Sequence, residues 1–282
     1  MTTSSMQKGK RRNERRHVLL ARVCVILLLG NVALAQVYLP KPPPEPSEYG
    51  KVILDNYSAT EPGPVVFDHW LHRSKFTCRL CHVDVGFAME AKATGISAST
   101  NRQGFHCGAC HDGKKLFEGK PIFAACSDSA HDQQCDRCHS LGKKRARKYE
   151  YKTFTAKLPK GIYGVNWGAA EESGIIKPVD FVEGLSVKQA PMQSRKDFSI
   201  KAAYSWVHPI RFSHEKHAIW NGCELCHPEI FPSTPKGTVQ FSMFHNIEGQ
   251  YCGACHRKVA FPLNNCQRCH PSAPLWAPGR LP

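Results

Sequence analysis

Apolar residues occur along this chain in short runs, and few stretches keep the 3.6-residue period of an amphipathic helix. Twenty prolines and twenty-one glycines interrupt these runs. The pattern argues against a helix bundle or a large sheet with an ordinary side-chain core. It predicts a mostly irregular, loop-rich chain with short helices, in which something other than side chains supplies the core.

Residues 1–35 have a different pattern from the rest of the chain. Basic residues precede an apolar run at 18–30, which is followed by the small-residue motif Ala33-Leu34-Ala35. This order predicts a secretory signal cleaved before Gln36. The alternative is an uncleaved membrane anchor, but Arg22 interrupts a run already shorter than the roughly 20 residues of a spanning helix. We therefore expect an exported protein, located in the periplasm or at the outer surface.

Twelve of the fourteen cysteines form six copies of the motif Cys-x-x-Cys-His. The spacing is typical of haem c attachment, in which two thiols add to the haem vinyl groups and the next histidine binds the iron. The cysteine pairs are Cys78 and Cys81, Cys107 and Cys110, Cys135 and Cys138, Cys223 and Cys226, Cys252 and Cys255, and Cys266 and Cys269. The predicted proximal ligands are His82, His111, His139, His227, His256 and His270. We predict six covalent haems c, which provide the core.

Zinc sites and thioredoxin-like redox pairs also use Cys-x-x-Cys. Neither requires a histidine at one fixed offset in all six copies, and the exported context favours haem attachment. The charge agrees with this interpretation. Residues 36–282 hold thirty-one basic and twenty-two acidic residues, a net charge of +9. Six haems would add about twelve propionate charges, so a basic chain suits them and a nucleic acid partner is not expected.

Two histidine pairs stand shortly before the first and fourth motifs. Their spacing of three residues places both rings on one helical face, splayed enough to reach two different irons. The predicted distal ligands are His69, His72, His214 and His217. Four more histidines compete for the two remaining irons, with Met89 and Met243 as thioether alternatives: His106 and His131 in the first half, His208 and His245 in the second.

The same order of motifs occurs twice. Each half has a Phe-x-His-x-x-His pair, an attachment motif, a Cys-Gly-Ala-Cys-His motif that begins 25 residues after the first motif's histidine, and a third attachment motif. With these motifs, 67–140 and 207–271 resemble the class III multihaem cytochromes c of the cytochrome c-three and c-seven type, arranged as two tandem triheme domains. Somewhat under half of the chain takes part in this resemblance.

The resemblance implies which histidines share an iron. The implied pairs are His69 with His82, His72 with His111, His214 with His227, and His217 with His256. For the third haem of each half, the family's distal histidine stands a few residues before the second motif, where His245 fits. Thr100 stands there in the first half, which leaves His131 or His106 as a substitute.

Between the domains, Tyr151–Leu158 and Ile175–Val187 have strand-like composition broken by glycine and proline. We interpret them as part of a semi-ordered connector packed on the haems. The predicted division of the chain is a signal at 1–35, a proline-rich spacer at 36–66, a first triheme domain at 67–140, a connector at 141–206, and a second triheme domain at 207–282.

Bis-histidine ligation closes the iron to substrate, which favours an electron carrier without enzymatic activity. Expected partners are other redox proteins: cytochromes, an inner-membrane quinol-oxidising complex or an outer-membrane conduit. One alternative is a subunit of a respiratory complex or of a cytochrome filament, associated with a membrane or with other copies. The other is a multihaem reductase, which needs an iron with an open axial position.

Overall fold

The structure of the protein is a computed structural model, which describes residues 44–55, 63–126, 132–144, 146–189, 197–202, 207–232 and 239–271. The described residues all belong to one compact unit. Within them, no helix combines the length and the apolar character needed to cross a membrane. The predicted signal, its cleavage before Gln36 and His131 lie outside these residues.

The sheet structure of the described residues consists of four separate antiparallel hairpins, each with two strands. The hairpins are β1 (Lys51–Leu54) with β2 (Val65–Asp68), β3 (Leu116–Phe117) with β4 (Lys120–Pro121), β5 (Lys160–Gly161) with β6 (Gly164–Val165), and β7 (Phe198–Ile200) with β8 (Ile210–Phe212). None of these hairpins is large enough to bury a sheet face of its own.

The helices of the described residues are equally short, and the longest has eight residues. They are α1 (His69–Arg73), α2 (Ala98–Arg102), α3 (Asp132–Cys135), α4 (Tyr151–Phe154), α5 (Trp167–Glu172), α6 (His214–Asn221), α7 (Met243–Ile247), α8 (Gly253–His256) and α9 (Cys266–Cys269). A π-helical turn covers Leu80–Asp84, and 3₁₀ turns cover His106–Ala109 and Arg147–Tyr149. The predicted loop-rich fold with short helices is confirmed.

The sequence repeat is also a structural repeat. In the first half, β2 leads directly into α1, and in the second half β8 leads through Ser213 into α6. A second shared feature precedes the Cys-Gly-Ala-Cys-His motifs. There α2 begins with a reciprocal capping box between Ser97 and Thr100, and α7 begins with the same box between Ser242 and His245.

The connector contains an ordinary hydrophobic core. Leu158, Ala170 and Ile176 are buried together, and partly buried aromatic side chains pack against them. One of these aromatic residues, Trp220, comes from α6 of the second half, while Trp70 of the first half contacts Tyr151 and Phe154 edge-on or tilted. The connector therefore joins the two halves through packed side chains.

The strand prediction for Tyr151–Leu158 is wrong. Tyr151–Phe154 form α4, and the Thr155 hydroxyl donates back to the Tyr151 carbonyl at 2.7 Å. The segment Ile175–Val187 forms one isolated parallel bridge, between Val179 and Phe76. Aromatic composition favoured strands here, but packing against Trp70 determines the conformation.

Candidate haem sites

Each of the six motif histidines directs its ring Nδ1 at a backbone carbonyl oxygen. The partners are Phe87 for His82 (2.8 Å), Phe123 for His111 (3.2 Å), Gly63 for His139, Phe231 for His227 (2.5 Å), Phe261 for His256 (3.1 Å) and His208 for His270 (2.6 Å). A carbonyl oxygen only accepts, so Nδ1 is the donor in all six. Nε2 then keeps its lone pair, as a metal-bound histidine requires.

Four of these rings face a second imidazole across a nearly constant gap. The centroid distances are 6.4 Å for His69 and His82, 6.4 Å for His72 and His111, 6.5 Å for His214 and His227, and 6.0 Å for His217 and His256. With metal–nitrogen bonds of about 2 Å on each side, two imidazoles that share one metal ion have centroids roughly 6 Å apart. The gap has the size needed for one iron.

These are the four pairs implied by the family resemblance. Each histidine pair divides between two motifs, because residues three apart on a short helix project in splayed directions. On α1, His69 faces the first motif and His72 the second, and on α6 His214 and His217 repeat this division. Ligation of iron by these residues stays a prediction, and the arrangement suits it.

The electrostatic environment favours the uncharged form of six of these eight imidazoles. Burial lowers the pKa of His72 to about 3 and the pKa of His69 and His256 to about 4. The pKa values of His82, His111 and His217 are lowered by burial as well. At neutral pH these side chains are neutral imidazoles, the form that binds iron.

Several of the motif thiols are also held in their neutral form. Burial raises the pKa of Cys81 and Cys255 to about 12 and that of Cys107 and Cys252 to about 11. A structural zinc site requires thiolates. Within the described ranges, no three His, Cys, Asp or Glu side chains converge on a point where they could hold a metal ion. Thioether bonds to haem leave no ionisable sulfur, so they suit buried cysteines.

Comparison with protein families gives matches in both halves. The model described as "Cytochrome c7 and related cytochrome c" matches residues 65–140 and 210–271. These two segments contain the six motifs and the four facing imidazole pairs. Both segments are of the cytochrome c7 type. The chain therefore has two tandem cytochrome c7 segments, and haem c binding follows from this match and the motifs together.

Solved structures of multihaem cytochromes resemble the chain in sequence. The C-terminal hexahaem fragment of GSU1996 is 22% identical and covers 81% of this chain and 98% of its own, with a TM-score of 0.25. The N-terminal hexahaem fragment of GSU1996 is 25% identical and covers 79% of this chain and 99% of its own, with a TM-score of 0.23. The dodecahaem cytochrome c GSU1996 is 25% identical and covers 80% of this chain and 76% of its own, with a TM-score of 0.27. A search of curated proteins found no match.

The third cytochrome c7 motif of each half has a different environment. Among the described residues, no second imidazole lies at the same spacing from His139 or His270. His270 donates to the carbonyl of His208 through Nδ1, so the His208 backbone lies behind the ring, on the side away from Nε2. Gly63 holds the same position behind His139. This arrangement favours a backbone role for His208 over distal ligation of the His270 iron.

His245 and His106 both have another role in the structure. The Ser242 backbone N–H donates to Nδ1 of His245 at 3.1 Å, so His245 caps its own helix. Binding iron through Nε2 would place the ring proton on Nδ1, which would then no longer accept from the Ser242 N–H. His106 corresponds to Tyr251, and both have positive φ angles, +49° and +46°.

The His106 ring packs on an aromatic neighbour as the Tyr251 ring does. His106 lies 5.7 Å from Phe87, and Tyr251 lies 5.6 Å from Phe231. The sixth ligand of the third iron in each half therefore stays a prediction. The thioether candidates are half-exposed, Met89 at 36% and Met243 at 47%.

Sequence reasoning missed the residues that orient the motif histidines. A phenylalanine four or five residues after the motif supplies the accepting carbonyl for His82, His227 and His256. This recurring phenylalanine was a readable signal. The connector also contributes contacts that no sequence motif indicated. Thr77, directly before the first motif, donates through its backbone N–H to the Val179 carbonyl and through its hydroxyl to the Asp180 carboxylate.

Proposed function

We propose that this protein is an exported electron carrier with six covalent haems c. The observation that supports it best is the four facing imidazole pairs, with 6.0–6.5 Å between ring centroids, beside intact attachment motifs. A haem c held by two imidazoles supplies one-electron chemistry, with little change in structure when the iron changes charge.

The chain holds each haem in three ways. The cysteine pair of each motif forms the covalent attachment, the motif histidine binds one face of the iron, and the backbone carbonyl behind it fixes the ring. On α1 and α6, His69, His72, His214 and His217 close the opposite face and exclude substrate. The residues for distal ligation at the third motifs are His131, His106 or Met89 in the first half, in that order, and His245 or His208 in the second.

The proposed partners are other redox proteins: cytochromes, an inner-membrane quinol-oxidising complex or an outer-membrane conduit. The proposed location is the periplasm or the outer surface. Membership of a respiratory complex or a filament is compatible with the same chemistry. A reductase needs an open iron, and the unpaired environment of His139 and His270 in the described residues makes the third motifs the place to test for it.

Electron paramagnetic resonance of the oxidised holoprotein tests this proposal. We expect low-spin signals from at least the four facing pairs, and no change on adding carbon monoxide to their reduced form, because both axial positions are filled. Substitution His131→Ala should convert one iron, that of His139, to high spin. His106→Ala is the matched variant. If His131→Ala leaves every iron low-spin, the sixth ligand of the His139 iron is assigned to His106.

Carbon monoxide binding to most of the irons would contradict an electron carrier and favour a reductase. Binding confined to one or two irons would assign the open positions to the third motifs. The carrier function of the remaining haems would then be unchanged.

A further inference from the structure

Arg73 lies where the three parts of the protein meet. It is the last residue of α1 and follows His72 directly. Its guanidinium carbon lies 4.8 Å from the ring centroid of Trp167, in the connector, and 5.7 Å from that of Trp220, in the second half. Its Nη1 donates to the Val259 carbonyl, also in the second half, at 2.9 Å. Neutral groups therefore surround a permanent positive charge.

Among the described residues, no carboxylate forms an ion pair with Arg73, and its Nε is buried without an acceptor. Burial lowers the pKa of Arg73, and the groups that oppose this effect are Cys78, Tyr49 and Cys255. The two cysteines are predicted haem attachment sites and so carry no charge once bound. A guanidinium that has left water without a counter-charge is unstable by several kcal/mol.

The cavity beside Arg73 has the character of an anion site. It is also lined by Arg268 and by aromatic side chains, including Tyr49, Tyr151 and Trp167. No aspartate or glutamate occurs among its described lining residues. The Arg268 guanidinium carbon lies 4.7 Å from the Phe261 ring centroid, and its Nη1 donates to the Asn166 side chain at 3.1 Å.

The contrast with Arg79 supports this interpretation. Arg79 is also buried, six residues further along, but it pairs with Asp84 at 2.9 Å and with Asp180 at 3.4 Å. Among the residues that the structure describes, carboxylates are therefore supplied for one buried arginine and not for the other.

We infer that Arg73 binds a haem propionate carboxylate, which supplies the counter-charge that the described side chains do not. The inference rests on the proposed haem content. Arginine suits this role because its planar fork donates two parallel hydrogen bonds to one carboxylate. A free carboxylate from solution shares this chemistry, and the test below separates the two sources.

The test is a potentiometric titration of three holoproteins: the parent protein, Arg73→Gln and Arg73→Lys. Reduction adds one electron to the iron and lowers its charge by one, so a nearby cation favours the reduced form. Arg73→Gln should shift one of the haem midpoint potentials to a more negative value, and Arg73→Lys should restore it in part. Lys152→Gln, an exposed position on α4, controls for the loss of one positive charge and should leave the midpoints in place.

Intact mass measured on the same samples separates the two proposals. A full haem count with all midpoints unchanged in Arg73→Gln overturns the role of Arg73 and leaves the proposed function standing. A low haem count in the parent protein overturns the proposed function. Stabilisation of the parent protein by added acetate at constant ionic strength assigns the site to a free carboxylate and overturns the propionate assignment.

If Arg73→Gln does not accumulate, Arg73→Lys carries the test alone. Lysine keeps the charge but loses the fork, so one propionate bending band in the resonance Raman spectrum should shift. Unchanged bands would overturn the inference.

Discussion

Alanine at Gly108 or Gly253 is expected to prevent attachment of the second haem in the corresponding half. A Cβ on Gly108 would lie 1.8 Å from the Asn101 carbonyl oxygen and 2.6 Å from its carbon, and a Cβ on Gly253 would meet Asn246 at the same distances. These contacts are with backbone, which a rotamer change does not relieve. The cost should reach or exceed the upper end of the about 1–3 kcal/mol that overpacking usually takes.

The helices on which the new Cβ atoms would press are fixed by the capping boxes of α2 and α7. The motif turn would have to move instead, and with it the cysteine that forms the thioether. Intact mass should show one haem fewer in each variant, together with a lower yield.

Gly95→Ala is the matched control, because a Cβ there has no atom within 4 Å. Truncating the Asn101 side chain should not rescue Gly108→Ala, since the clash involves the main chain. Full haem content and an unchanged melting temperature in both glycine variants would show that the helix and the motif do not approach this closely.

The second large effect is expected from Arg79→Met, inside the first attachment motif. The Arg79 side chain is only 2% exposed, and its Nη2 donates to Asp84, whose side chain is 8% exposed. Removing one member of a buried ion pair leaves an uncompensated charge, which costs about 3–5 kcal/mol. Guanidinium unfolding followed by haem absorbance should show this loss.

The Arg79 stem also lies against Gly222, directly before the fourth motif, where an added Cβ would approach the Arg79 Cδ to 2.7 Å. The residue therefore joins the first motif, the connector and the second half. Burial raises the pKa of Asp84 and the Arg79 charge opposes this, so the variant should raise the pKa of Asp84 further.

A neutral partner should reverse much of the loss, so Arg79→Met with Asp84→Asn is expected to be more stable than Arg79→Met alone. Lys92→Met, which breaks the exposed pair with Asp55, should change the free energy of unfolding by less than about 1 kcal/mol. Equal losses in Lys92→Met and Arg79→Met would contradict the buried network.

The fold class and the divided contacts of the two His-x-x-His pairs could be predicted because they depend on local patterns. The Cys-x-x-Cys-His spacing, the His-x-x-His pairs and the repeat each lie within a few residues of the features they determine. The structure brings His69 and His72 to two different motif histidines, as the splayed spacing indicated. The repeat extends to residues that the comparison of motifs did not use, such as the capping boxes at Ser97 and Ser242.

The connector could not be predicted in the same way. Its strongest contacts join residues about a hundred positions apart, such as Thr77 with Asp180, and leave no period in the sequence. The aromatic run at 151–158 suggested a strand, whereas packing against Trp70 produces a helix and turns. His245 shows a different limit, because a side chain that the repeat positions as a ligand also caps its own helix.

The central claim is the covalent attachment of six haems, and intact mass spectrometry of the purified holoprotein tests it most directly. We predict a chain that begins at Gln36 and carries six haem masses, one for each motif. A stable, folded protein that carries fewer than five haems would contradict the account.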